Sequence, residues 1–336
     1  DEERLAAFTF QYEISIFMCV KRRTYFLSIF CMVVMGLLQQ SCISDDVSEC
    51  HYDGGLRINV RYVPEEGDVT TYAERIRRLN FYLFRADGTF YMSHSEKIPV
   101  QLASDNYSVL FYVPPGEYRC VVWADNTEND QAFYTVSPFE SGVTVDADAI
   151  LSVHREKNNT VPFASNELLY GALGNLEMKL GIFNEYEISL ENNVNRLELN
   201  VYGIPDGYDA SSLASTVDLR NADYKFDNSI VETSPLLHYT PVYEPHTNPD
   251  FGAGISCLFR FFKLENEMQS RIVITAERNG VRSALFDRNL INLLLASPKI
   301  DFSKNHSFKL DIHFKGAVVT IAVNDWILSE SVQPVE

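Results

Sequence analysis

The residue with the clearest chemical prospect is a cysteine. Residues 37–46 read LLQQSCISDD, an apolar run that ends at Gln39-Gln40-Ser41-Cys42 and turns acidic at once. A thiol in that setting is a site for acylation, provided that a cut between Ser41 and Cys42 makes the cysteine the first residue of a processed chain. The preceding residues supply the signal for such a cut. Lys21, Arg22 and Arg23 are followed by an uncharged stretch from Thr24 to Leu38. A basic start, an apolar middle and a small residue before the cleavage point form a secretory signal. The apolar stretch has 15 residues, short of the ~20 that a membrane-spanning helix needs. Gln39 is the misfit, because Leu or Val is usual there. The expected start of the protein is Met18, with residues 1–17 an over-extension and residues 1–41 removed on export.

Other constellations lead to less. Ser104-Asp105-Asn106 matches part of the serine β-lactamase set, but no lysine follows a serine by three positions. The segment DNTEND (125–130) starts like a calcium loop, with Asp125, Thr127 and Asn129 as oxygen donors. Asp130 then stands where the turn glycine belongs and Val136 where the bidentate glutamate belongs. Gly252-Ala253-Gly254 lacks the third glycine of a nucleotide-binding turn, and no HExxH or GxSxG occurs. The reading is therefore non-enzymatic, with no metal, no cofactor and no small-molecule substrate. Three cysteines remain in the exported chain beyond Cys42, and Cys50 with Cys120 is the candidate disulfide, the third being Cys257.

Charge narrows the partners. Removing residues 1–41 takes away four basic and four acidic side chains, so the exported chain keeps the net charge of −18. Such a surface repels phosphate backbones and offers anionic headgroups no basic patch. Nucleic acid is excluded as a partner, and acylation is left as the route to a membrane.

The elements that must carry these residues are strands. In GLRINVRYV, Leu56, Ile58, Val60 and Tyr62 alternate with polar residues, and in FKLDIHFK, Phe308, Leu310, Ile312 and Phe314 do the same. The second pattern places His313 on a solvent face with Lys309 and Asp311. Asp87-Gly88 and Asn279-Gly280 are hairpin turns between apolar runs, and Pro114-Pro115-Gly116 turns another pair of strands. VVTIAVNDW reads as the closing strand. Only residues 288–297 look helical, ended by Pro298. Stretches 205–215 and 241–251 read as loops. The sequence predicts an all-β chain of two tandem β-sandwiches, each with a core of its own, over 56–183 and 184–326. A tether (42–55) precedes them and a tail (327–336) follows.

Taken in order, SCISDDVSEC, LNFYLFRADGTFY, PPGEYRCVVWADN, LLYGAL, ENNVNRLELNVYGIP and FKLDIHF leading to VNDW resemble the FimB/Mfa-type fimbrial anchor lipoproteins of the Bacteroidales. The resemblance covers about residues 42–326. It implies transthyretin-like sandwiches, a lipid on Cys42, and Ser44, Asp45, Asp46 and Glu49 as the signal for display on the outer membrane. It implies fimbrial shaft subunits as partners, attachment of fimbriae to the cell, and control of their length. Assembly by strand insertion makes the tail, with Trp326, Ile327 and Val332, the candidate contact with the adjoining subunit. A surface glycan-binding lipoprotein, using Tyr91, Trp123 or Tyr134, and a fimbrial tip adhesin are the alternatives.

Overall fold

Which strand faces are greasy decides how the sheets stack. A computed structural model describes residues 54–62, 76–97, 106–127, 134–161, 167–248, 250–316 and 318–332. Cys42 and its neighbours Ser41, Ser44, Asp45, Asp46, Glu49 and Cys50 lie outside the described residues, as do Ser104, Asp105, Asn129 and Asp130. The protein is all-β, with one short helix, α1 (Leu290–Leu295). That helix falls where the sequence placed it, and Asn289 caps it by accepting from the Asn292 N–H at 2.8 Å.

The first sheet contains β1 (Gly55–Tyr62), β2 (Arg78–Arg85), β3 (Phe90–Lys97), β4 (Asn106–Phe111), β5 (Gly116–Asp125), β9 (Leu168–Met178) and β10 (Phe183–Asn192). Their order is β3-β2-β5-β9-β10-β1-β4. The backbone pairing of β9 with β10 is short, Glu191↔Tyr170 and Asn192↔Leu169. β10 otherwise runs parallel to β1, from Gly55↔Phe183 to Tyr62↔Leu190. The sheet therefore folds over at this seam. Leu56, Ile58 and Val60 of β1 close against Phe81 and Leu83 of β2 and Cys120 and Val122 of β5 in one buried core.

Pro114-Pro115-Gly116 turns the chain as expected, but the strands that it joins are not neighbours. β4 pairs with β1, whereas β5 pairs with β2 and β9. The turn carries the chain from one layer of the sandwich to the other.

The second half holds two facing sheets. One is β15 (Val242–Asn248), β16 (Gly252–Phe262), β11 (Val194–Tyr202), β19 (Ser307–Lys315), β20 (Val318–Val323) and β21 (Trp326–Val332), in that order. The other is β18 (Val281–Arg288), β17 (Ser270–Arg278), β12 (Asp209–Leu219), β14 (Leu237–Tyr239) and β8 (Thr160–Val161). β13 (Asp223–Lys225), β7 (Ile150–Val153) and β6 (Tyr134–Val136) make a small third sheet. The stretches that read as loops at 205–215 and 241–251 largely belong to β12 and β15. A proline argues against a strand in the second, yet Pro245 sits on an edge strand, where a missing N–H is tolerated.

The first half has a core of its own, but a second core is shared by the two halves. β8 of the first half pairs with β14, and β7 pairs with β13. Phe84, Val121 and Trp123 join Tyr224, Phe226 and Leu199 in a single cluster that continues into the second sandwich. β5 is thus covered on both faces over most of its length, which is why YRCVVWAD reads as an apolar run and not as an alternation. The passage between sheets falls at Asn193, after β10, and not at 183/184, because Phe183–Asn192 stays paired with β1 and β9. All described residues belong to one compact unit, Tyr52–Glu336.

Candidate functional site

Two places could carry function, the point where the chain enters the fold and the edges of its sheets. The entry point is Gly54, whose successor Gly55 donates its N–H to the Ile182 carbonyl at 3.1 Å. Gly54 has φ +135°, and a Cβ there would collide with the Ile182 backbone, so glycine is what lets the chain enter so close to the loop before β10.

The side chains singled out for chemistry are occupied structurally. Asp125 is buried and accepts from the Thr127 N–H at 2.9 Å and the Tyr134 hydroxyl at 2.9 Å. The Asn80 amide donates to that same hydroxyl at 2.7 Å. Burial, then the adjacent Asp125 charge, push the Tyr134 hydroxyl well above its ordinary pKa. The carboxylate is thereby committed to a closed cluster. Among the described residues, no group of three or more His, Cys, Asp or Glu is arranged to hold a metal ion.

Trp123 and Tyr134, candidate glycan platforms, are core residues. Trp123 packs on Tyr170 (centroids 4.9 Å apart), Tyr224 and Phe226, because the face expected to be wet is covered by the second half. Tyr91 is half-buried beside Tyr118, with the Arg85 guanidinium 4.7 Å above its ring. His313 does not face solvent freely. It lies 4.6 Å from the Phe251 ring and against Tyr202, and burial lowers its pKa. Gly252-Ala253-Gly254 lies on β16, paired to β15.

The candidate disulfide has Cys50 outside the described residues, and Cys120 is a free thiol enclosed in the first core. Burial pushes its pKa up, and that of Cys257 up to about 11. Cys257 donates weakly to the Ser215 hydroxyl at 3.6 Å. Both thiols are inert packing groups. A pairing that sequence reasoning missed is Glu167, which is buried and accepts from Arg260 at 2.7 Å and Arg196 at 3.3 Å. This carboxylate ties the start of β9 to β16 and β11.

The sheet edges differ in how open they are to another strand. β15 carries Pro245, which removes a donor, and β8 has only two residues. β18 carries Arg282, Asp287 and Arg288, charged residues that discourage strand addition. β21 has seven residues and no proline, and it ends the six-stranded sheet. The tail is not a free extension, because Trp326–Val332 pairs antiparallel with β20. The register shifts between Ile321↔Ser329 and Ala322↔Ile327, leaving Leu328 as the extra residue of a bulge. Leu328 packs on the core, while Trp326 and Ile327 remain exposed. The turn uses Asn324 (φ 46°) and Asp325 (φ 62°), both left-handed, as a two-residue hairpin requires.

The fold is a set of β-sandwiches that presents strand edges and loop tips. The chain belongs to the family of fimbrillin-A associated anchor proteins Mfa1 and Mfa2, whose model matches residues 46–332. Its role is accordingly structural and associated with fimbriae at the cell surface. The fold is similar to that of the fimbrial anchor protein Mfa2 from Porphyromonas gingivalis, at 16% identity and TM-score 0.65, covering 82% of this chain and 100% of that one. It is also similar to a candidate polysaccharide-binding protein from Bacteroides thetaiotaomicron (18% identity, TM-score 0.67, 84% and 100% covered). A candidate adhesin from Bacteroides ovatus shares it too (15% identity, TM-score 0.64, 84% and 96% covered). No curated protein matches the chain.

Proposed function

We propose that the chain is an outer-membrane lipoprotein that anchors fimbriae to the cell and limits their length. The observation that carries this reading is the family match over residues 46–332. Cleavage after Ser41 frees Cys42 for acylation, Ser44, Asp45, Asp46 and Glu49 direct display at the surface, and residues 42–55 tether the first sandwich. The fold is used as two linked sandwiches, with the division after β10.

The adjoining shaft subunit adds a strand to the outer edge of β21. An edge strand carries backbone donors and acceptors that a neighbour's strand can satisfy. Trp326 and Ile327 supply exposed apolar contacts beside that edge, and Val332 marks its far end. Replacing both exposed residues, Trp326→Ser with Ile327→Ser, should leave the amount of protein at the surface unchanged. Fimbriae shed into the medium should rise about tenfold, since an interfacial Trp commonly carries much of the binding energy. Fimbriae that stay attached and of normal length in this variant, and also after deletion of residues 327–336, would rule the edge out as the contact.

A further inference from the structure

We infer that the end of the first sandwich where the chain enters is a membrane-seating face, which lies in the headgroup layer of the membrane holding the tether. The inference rests on the proposal that Cys42 is acylated. Four large apolar side chains are exposed at this end: Tyr112 (52%), Leu180 (64%), Ile182 (48%) and Phe183 (51%).

The sheet registers bring them together. Gly55, at the start of β1, lies opposite Phe183 on one side, and Leu56 lies opposite Phe111 on the other. Tyr112, next after Phe111, packs its ring edge-on to Phe183 with centroids 6.5 Å apart. Gly116↔Met178 sets the Pro114-Pro115 turn beside the loop Lys179–Ile182. Two loop tips and the chain entrance therefore share one end of the sandwich.

What distinguishes this end is that four exposed large apolar residues gather there. Among the described hairpins, Asp87-Gly88 is a polar tip, and Asn279-Gly280 and Asn324-Asp325 are polar turns followed by the exposed apolar residues Val281 and Trp326-Ile327. The tip before β10 reads KLGIF, with every residue exposed. Clustered exposed apolar side chains mark a contact surface, and a tip of this kind suits the boundary between headgroups and acyl chains. Lys179 can extend its ammonium toward headgroups while its stem lies with the apolar residues. It pairs with Glu177 at 2.8 Å, and a chain of net charge −18 has little electrostatic attraction to an anionic bilayer. Apolar burial is the available driving force.

The tether selects the occupant. Residues 43–53 separate Cys42 from Gly54, a reach of at most about 40 Å when extended. The acylated end is thus held within that distance of the patch, and the membrane is the apolar phase brought to it at high effective concentration.

A direct test uses the full chain with Cys42 replaced by hexahistidine, held on vesicles of phosphatidylethanolamine and phosphatidylglycerol through a nickel-chelating lipid. Phe183→Trp should be quenched several-fold more strongly by brominated acyl chains than Val281→Trp, which places the indole on an exposed hairpin tip of the second sandwich. Adding Leu180→Ser and Ile182→Ser should abolish the difference. Equal quenching at the two positions while the chain stays on the vesicles would overturn the inference. So would concentration-dependent dimers that shield the indole of the Phe183→Trp variant without lipid, because a second copy would then own the patch. The chelating lipid stands in for the acyl chains, so this result can fail while acylation at Cys42 holds, and the reverse.

Discussion

Replacing Cys42 by alanine is expected to abolish incorporation of labelled fatty acid into the protein and to remove it from the cell surface. The effect should be close to complete, because the proposal makes acylation the attachment that holds the chain at the membrane. Each buried CH₂ of an acyl chain contributes about 0.8 kcal/mol, and stable anchoring takes more than one chain or a basic patch as well. The basic-patch route is disfavoured by a net charge of −18. Among the described residues, no helix is long and apolar enough to cross a membrane. The seating face proposed above adds contact area but acts only on a chain already held nearby. The experiment is metabolic labelling with a fatty acid, paired with surface proteolysis of intact cells. Label persisting in Cys42→Ala, or wild-type protein found at the surface without label, would contradict acylation at this residue.

The second large effect concerns the core. Trp123→Ala should lower stability by about 3–5 kcal/mol, a large part of the ~5–15 kcal/mol that holds a typical domain together. Trp123 is completely buried, and its ring meets Tyr170 from the first half and Tyr224 and Phe226 from the second. Phe226 is itself held by its carbonyl, which accepts from Arg119 at 2.9 Å and from the Tyr170 hydroxyl at 3.1 Å. Truncating the indole opens a cavity where the halves join, so both should lose stability together. Trp123→Phe should cost less. It keeps most ring contacts and deletes an indole N–H that has no hydrogen-bond partner among the described residues. Urea denaturation followed by circular dichroism measures both. A loss below about 1 kcal/mol for the alanine variant would fit a surface residue, and the glycan-platform reading of Trp123 would regain its footing.

How much of this can be read from the chain depends on whether a strand has one wet face. β1 and β19 do on most positions, and their alternation at Leu56, Ile58 and Val60, and at Phe308, Leu310 and Ile312, is legible. Asp311 breaks the pattern, because Lys309 and the Asn200 amide, the latter at 3.0 Å, hold its carboxylate under cover. Turns with Gly at the second position, Asp87-Gly88 and Asn279-Gly280, are equally legible. Asn324-Asp325 makes the same left-handed turn without glycine, and β21 beyond it reads in sequence as a tail. Asn followed by Asp tolerates positive φ and is the available signal.

Strand partners are not legible. The parallel pairs β1–β10 and β11–β19 join segments more than a hundred residues apart, and no local pattern encodes them. The shared core escapes for the same reason, since the second half covers the outer face of β5. Around Cys42 the sequence shows a pattern of composition alone. The apolar tip Leu180–Phe183 reads as part of a strand passage, because exposure is a property of the folded end and not of the residues.

The central claim, that the chain anchors fimbriae, is tested most directly by deleting its gene and imaging the cells by electron microscopy. Fimbriae shed into the medium or grown abnormally long, and restored by the wild-type gene, are the expected result. Fimbriae unchanged in both length and attachment would contradict it.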